Sequence, residues 1–444
     1  MIMNAQNKNT TWYDSNFTAF EKSLNGESSS PLHQIRRAAI AKFHELGFPT
    51  TRHEEWRFTN IASIAGSNFK PVFNYQPSNI TRNDLDRFTT AADNILVFVN
   101  GHFARELSSV NSVPEGVLAC DLASALKTHG DLVRRHLATL AHADENAFVA
   151  LNTAFLQDGA FVYIPDGLRI DQPIQIVFVG SGSEDRFIAH PRNLFIVGKH
   201  SEARIVETYV SVTETPYLTN VVSEILVGEN SAVEHDKLQN ESRHAFHIAS
   251  THVNQGGGSN FTSNSIALGS SIARNNVIAI LNAEGSDCTL NGLSLGTGTQ
   301  LLDHHTTIDH AKPHCTSHEL YKAILDGTSR GVFNGKIFVR KDAQKTDAKQ
   351  TNRTLLLSDD ATIDTKPQLE IFADDVKCTH GAAVGQLDAE QVFYLRSRGI
   401  DEVAARDILT FAFAKEVVDR VHVEALRVLL EHLIQTQLNA GRNS

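Results

Sequence analysis

Apolar positions change their spacing twice along this chain. From Leu32 to Leu46 they fall at Leu32, Ile35, Ala39, Ile40, Phe43 and Leu46, one face of a helix, with Ser30 placed to cap it, Pro31 in its first turn and Gly47 to close it. The residues before it, 1–30, are polar and end in Ser28-Ser29-Ser30, which predicts a flexible, loosely ordered lead-in. Ile95 to Val99, then Asn100-Gly101 and His102-Phe103, read as a tight hairpin, because Asn-Gly supplies the positive φ angles of a type I′ turn. A second helical stretch is expected from about Leu122 to Leu140. Residues 31–155 therefore read as a mixed α+β domain.

Around Phe155 the helical stripes give way, to about residue 385, to short β-rich runs broken by Gly, Asn, Asp and Ser. Leu194-Phe195-Ile196-Val197-Gly198 is followed by Ser201, Ala203 and Ile205; about thirty residues later come Ile225-Leu226-Val227-Gly228, Ser231 and Val233. Leu268-Gly269 is echoed at Leu295-Gly296. Self-similarity at such a period predicts a β-solenoid over 156–386, in which each coil stacks on the last. A large sandwich also gives many short strands, but has no reason to repeat at this interval. Left-handed hexapeptide acyltransferases repeat several times per coil, which makes that reading poor. Residues 387–444 return to helix. Asp388 can cap a helix through Arg398, with Gln391 at the capping-box position and Gly399 at its end. Asp401 can start a second with Ala404, Ile408, Phe411, Lys415 and Val418 on one face, leaving Phe413 and Val417 off it. Leu426, Leu429, Leu430, Leu433 and Ile434 stripe a third.

Charge and composition narrow the function. With 40 basic and 51 acidic residues the formal net charge is −11, so the surface repels polyphosphate on average and nucleic acid is not expected as a partner. No apolar run approaches bilayer length, and residues 1–17 lack the basic start and apolar block of a secretory signal, so a cytoplasmic, non-membrane protein is expected. Cys120, Cys288, Cys315 and Cys378 have no CxxC spacing, which argues against a disulfide framework, a zinc ribbon or a self-contained four-cysteine cluster.

The run Asp374-Asp375-Val376-Lys377-Cys378-Thr379-His380-Gly381-Ala382-Ala383-Val384-Gly385, continued by Val392-Phe393-Tyr394-Leu395-Arg396-Ser397-Arg398-Gly399-Ile400, closely resembles the signature of SufD members of the SufB/SufD family. Asn152-Thr153-Ala154-Phe155, Asp158-Gly159, Ile164-Pro165-Asp166-Gly167 and Leu320-Tyr321-Lys322-Ala323-Ile324-Leu325 look like the core shared by that family. Arg52-His53-Glu54-Glu55-Trp56-Arg57-Phe58-Thr59-Asn60 is similar to its Glu-x-Trp-basic-aromatic-Thr element. SufB proteins typically carry an acidic-His-acidic stretch before the Phe-Tyr-x-x-Arg element; here that place holds Val384-Gly385-Gln386-Leu387-Asp388. The resemblance implies a mainly β fold, a right-handed parallel β-helix between an N-terminal α+β domain and a C-terminal helical domain. It implies a non-catalytic scaffold for iron–sulfur cluster assembly, paired with SufB through the β-helix and with the ATPase SufC through the C-terminal helices, with a homodimer possible in isolation. No cofactor is expected to bind the isolated chain tightly; iron or a transient Fe–S cluster would sit at the SufB interface. The chain has no P-loop, so ATP hydrolysis would belong to SufC.

Cys378 and His380 are the candidate metal residues. In an extended segment they project to the same side, with Thr379 opposite. Thiolate and imidazole both suit iron or zinc, and both ligate iron–sulfur clusters. Two ligands leave the site incomplete, and SufB is the natural source of the rest. The histidine matching His380 is implicated at that interface in SufD relatives, which assigns it as a ligand or proton-handling residue. The bland alternative is a small buried thiol and a turn histidine. His304, His305, His310, His314 and His318, with Asp303, Asp309 and Cys315, form a denser cluster, and the 310/314/318 spacing would suit a zinc-binding helix face. Pro313 interrupts such a helix, so these histidines read as structural. The mixed charges of 340–349 read as a solvated turn edge, and Gly256-Gly257-Gly258-Ser259 as a turn. A rival class, a β-helix carbohydrate lyase or hydrolase, needs paired carboxylates that are not evident, and a zinc hydrolase would have to use the 304–318 histidines.

Overall fold

The computed structural model describes residues 3–24, 29–74, 80–90, 93–182 and 186–440. Its helices begin where the caps are. Pro31–Leu46 starts at Ser30, whose hydroxyl accepts from His33 N at 3.2 Å, and ends at Gly47 with φ 62°. Val99 pairs with His102 across Asn100 (φ 52°) and Gly101 (φ 86°), the expected type I′ hairpin.

The lead-in expectation fails. Met3–Ser23 is an α-helix, and Tyr13, Phe17 and Phe20 are buried. Their spacing is itself helical, but three aromatics in a polar stretch are a weak signal until partners exist. Phe43 supplies one at 5.4 Å from Tyr13, and Phe155 another at 5.8 Å from Phe17. The expected helix from Leu122 to Leu140 is also corrected. It is two short helices, Leu122–Thr128 and Gly130–His136, separated at His129, which lies outside helical φ/ψ just before Gly130.

From Ile174 onward each coil contributes one strand to each of two parallel sheets. Arg192–Val197, Tyr217–Val227, Phe246–Gln255, Ile272–Leu281, Leu301–His310, Arg330–Val339 and Thr362–Ile371 stack in the first sheet. Ile174–Gly180, Glu202–Ser211, Ala232–Asn240, Asn260–Ala267, Asp287–Gly296, Thr316–Leu325, Asp347–Leu356 and Lys377–Gly385 stack in the second. The result is a β-solenoid of about eight turns rather than a sandwich. The sequence echoes are stacked corners: Val197 pairs with Val227, Gly228 follows above Gly198, and Ser231 Oγ donates to Gly198 O. A Cβ on Gly228 would lie 2.5 Å from the Gly198 carbonyl carbon, which is backbone and has little room to yield. Gly228→Ala is therefore expected to cost about 1–3 kcal/mol in a thermal or urea melt; an unchanged midpoint would show that the corner relaxes freely.

Inside the coil, Phe195, Ile205, Val221, Ile225, Phe261 and Leu290 pack across the two sheets. The outer face of the first sheet is covered by the N-terminal unit, with Ile188, Leu218, Ile248 and Ile272 against Phe43, Trp56 and Phe148. The outer face of the second is covered by the C-terminal helices, with Val206, Leu238, Leu293 and Leu320 against Val417, Leu426 and Leu430. Glu402–Val418 and Glu424–Ala440 make this cover, and Ala389–Ser397 precedes them; Asp388 accepts from Glu390 N and Asp401 from Ala404 N. The face expected for the second is turned: Ala405, Thr410, Ala414, Val417 and Val418 are buried, while Ile408 is 46% exposed. Apolar residues lie nearly all round this helix, so the sheet's surface selects the buried face. Among the described residues no helix is long and apolar enough to cross a membrane.

Candidate functional site

Lys377–Gly385 is the last strand of the second sheet and Thr362–Ile371 the last of the first; among the described residues neither pairs further. Parallel strands normally need both edges covered, because an open edge presents a row of unmet N–H and C=O groups. Apolar side chains are exposed here as well: Ile371, Phe372 (59%) and Val384. This end of the solenoid is a surface suited to strand pairing with another chain.

Cys378 and His380 stand on that terminal strand. Cys378 pairs in register with Ala348 and His380 with Gln350. Following the register inward, the Cys378 column runs through Ala348, Ser317, Cys288 and Phe261, and the His380 column through Gln350, Glu319, Leu290 and Ser263. Phe261, Cys288 and Leu290 belong to the core between the sheets, so both columns face the lumen. The two candidate residues therefore share one side of the strand at the mouth of the solenoid. His380 is exposed, and Cys378 is half-buried against the core built on Val339, Ala348 and Ala373. Burial, then the charge of Asp347, pushes the Cys378 thiol above its ordinary value. Among the described residues no three His, Cys, Asp or Glu side chains form a metal-holding group. Cys378 and His380 place a thiol and an imidazole on one side of this strand, donor types that iron and zinc both accept.

Two family models match the chain. The one described as "SUF system FeS cluster assembly, SufBD core domain" matches residues 178–413, which take in the stacked coils and the C-terminal helices as far as Glu402–Val418; "SufBD protein N-terminal region" matches 7–176. The chain belongs to the SufB/SufD family of iron–sulfur cluster assembly proteins. It is similar to an iron–sulfur cluster assembly SufBD family protein of Synechocystis, at 34% identity over 93% of this chain and 92% of the relative. It is also similar to the iron–sulfur cluster assembly proteins SufD of Escherichia coli (32%, over 89% and 90%) and Bacillus subtilis (27%, over 94% and 97%).

The motif that carried the resemblance near the N-terminus turns out to join this SufB/SufD protein's two units. Trp56 lies under the Arg274 guanidinium at 3.9 Å, and Arg274 Nη1 donates to Glu55 O (2.6 Å) and to Asp303 (3.1 Å). Thr59 donates its hydroxyl to Asp303 at 2.5 Å, and His305 Nε2 lies 3.1 Å from the same carboxylate. Burial works to raise the Asp303 carboxyl, but His305, Arg274 and Thr59 together hold it down at about 2. Of these residues, Glu55, Trp56, Arg274 and His305 line a cleft of about 510 Å³ between the N-terminal unit and the first sheet.

The structure disperses the histidine-rich stretch. His304 is buried in the lumen beside Tyr321, His305 points to the other side toward Asp303, and His310 Nε2 meets Ser317 Oγ at 2.9 Å. His314 sits in a turn at φ 59° and His318 on a strand of the other sheet, so the 310/314/318 spacing falls on no helix. The charge run at 340–349 includes a bidentate Arg340–Asp309 pair to the neighbouring coil, and Gly256–Ser259 is a corner closed by Ser259 Oγ donating to Gly256 O. Glu319 and Gln350, behind His380, went unnoticed in the sequence. Their only signal is a polar residue recurring at coil spacing inside apolar strands.

Proposed function

We propose that this chain is a non-catalytic scaffold subunit of an assembly complex. It pairs through the open end of its solenoid with a SufB-type partner and through its C-terminal helices with the SufC ATPase. The observation that carries the reading is the unpaired pair of terminal strands with Cys378 and His380 on one face at the lumen mouth. A partner strand added there would satisfy the open edge and bring further ligands to the two residues. Iron or a nascent cluster is then cargo held briefly at the interface, not a resident cofactor. Helix Ala389–Ser397 buries none of its residues, and Phe393, Tyr394, Ile408 and Val428 are exposed, which supports docking of a second partner on the helical side. The cytoplasm is the compartment where such a complex would work.

Affinity purification from the native cell tests the partnership. Recovery of a SufB relative and a P-loop ATPase, in near one-to-two proportion, is the expected result; a chain that comes out alone would end the scaffold reading. His380→Ala is expected to keep the fold and both partners while lowering cluster formation on the complex by about tenfold or more, as loss of a ligand or proton-handling group does. Equal cluster yield and equal activation of a client protein would remove His380 from the site.

A further inference from the structure

The lumen behind the terminal strand is polar where a solenoid of this kind has every reason to be apolar. Glu319 and Gln350 are 3% and 2% exposed and stand one strand apart in the column that ends on His380. Gln350 Nε2 donates to Glu319 at 2.5 Å. Gly335 in the facing sheet makes room for this amide: a Cβ there would lie 2.3 Å from Gln350 Nε2. Around the pair, Gln350 Oε1, Asn352 Oδ1, Thr365 Oγ1 and both nitrogens of His304 are buried with no hydrogen-bond partner among the described residues. Each buried polar atom left without a partner costs about 1–3 kcal/mol. Five of them within the last coils of one lumen are not explained by packing, and they mark a track on which water can bridge one polar group to the next.

We propose that Glu319 is the internal proton acceptor of the terminal-strand site, taking up through the lumen the protons that thiols release there on binding iron. The inference rests on the scaffold reading above. Thiols must lose their protons to ligate metal. For one thiol at a time, the S–H bond breaks, sulfur keeps the electron pair for the metal, and the proton passes along bridging water beside Gln350 to form an O–H bond on ionised Glu319, which returns it to water by the same track before it accepts the next. No electron is transferred. The distance is short: two strand steps from His380 to Glu319, roughly 10 Å at the usual spacing. Burial pushes the Glu319 carboxyl up to about 7, against the hydrogen bond from Gln350 that favours its charged form. The titratable groups about it are Tyr321 on its own strand and Cys288 on the strand before, with His304 of the facing sheet against the Tyr321 ring. Burial raises the first two and lowers His304 to about 4, so none is a cation that would hold Glu319 ionised at neutral pH. Glu319 is thus poised to exchange a proton near neutrality.

Glu319→Gln preserves shape and hydrogen bonding while removing the exchangeable proton, and Glu319→Asp retains a carboxyl. In the full-length chain, carbon-13 NMR of labelled glutamate carboxyls is expected to show one group titrating near pH 7 that is absent in Glu319→Gln; a Glu319 carboxyl titrating in the ordinary range would overturn the inference. On the complex with its SufB and SufC partners, the wild-type rate of cluster formation is expected to rise through pH 7. Glu319→Gln should lose that rise and fall about tenfold or more at pH 8, with partial recovery in Glu319→Asp. A Glu319→Gln profile equal to wild type, with His380→Ala still impaired, overturns the relay and leaves the site standing. An unimpaired His380→Ala overturns the site and the relay with it, whatever the NMR titration shows.

Discussion

Glu224→Ala is expected to destabilise the chain by about 3–5 kcal/mol, measured as a shift of the urea midpoint, because it leaves a guanidinium in the interior without its counter-ion, held only by Asn152 and Thr153. Arg192 and Glu224 are fully buried, and Glu224 Oε2 accepts from Arg192 Nη2 at 2.7 Å and Nε at 3.1 Å. The same carboxylate accepts the backbone N–H groups of Ala138, Leu140 and Ala141, at 2.8, 2.8 and 3.1 Å. It therefore ties the loop after the second short N-terminal helix to the first sheet, and its loss frees three amides as well as the arginine. Burial tends to raise the Glu224 carboxyl, but Arg192 and these amides win and hold it below its ordinary value. The stabilisation is therefore complete above the unfolded carboxylate value of about 4.3 and is lost as pH falls through the lower folded value. The variant's stability should accordingly fall less than the wild type's on acidification below about pH 4. A cost under about 1 kcal/mol at pH 7 would mean that water reaches Arg192 and that the pair does not tie the loop to the sheet.

The second large effect is in the lumen. Phe261 is fully buried, stacked between Val233 on the coil before it and Cys288 on the coil after it. Phe261→Ala removes a ring from a site walled by strands on both sides, which can collapse little, and about 3–5 kcal/mol is the expected cost. A solenoid's stability is close to a sum of coils and the interfaces between neighbours, so the loss should be local. Cys288 gives the readout. It is buried in the wild type, and a thiol reagent is expected to modify it in the variant well before the chain unfolds globally. Protection of Cys288 unchanged from wild type, together with a cost below about 1 kcal/mol, would show that neighbouring side chains fill the space.

These two sites were legible to different degrees. Phe261 belongs to the β-rich text that predicts a solenoid, although nothing local says that it faces Cys288. Arg192 and Glu224 gave no signal at all, since a buried ion pair looks like two surface charges until the strands are stacked. The same division runs through the candidate site. Cys378 and His380 could be placed on one side of a strand from alternation alone, and the structure puts them there. That this strand is the unpaired end of a sheet, and that its inner side continues a polar column through Gln350 and Glu319, required the register of successive coils.

By itself, then, the sequence determined what short-range physics controls. Ser30, Asp388 and Asp401 begin helices because their side chains meet the first free amides, Asn100-Gly101 turns a hairpin because both residues accept positive φ, and the period of the corners with their Gly and Ser residues announces stacked coils. The tertiary structure alone decided whether Tyr13, Phe17 and Phe20 make a helix worth forming, which face of Glu402–Val418 is buried, and which residues share a column. From Ile174 onward, residues stacked in register on neighbouring coils lie from 26 positions apart, as for Phe246 and Ile272, to 32, as for Arg330 and Thr362. A one-residue slip turns every side chain of a strand to the opposite face. With turns of unequal length between coils, the contents of the lumen are set by the sum of many local choices, and only the assembled solenoid carries out that sum.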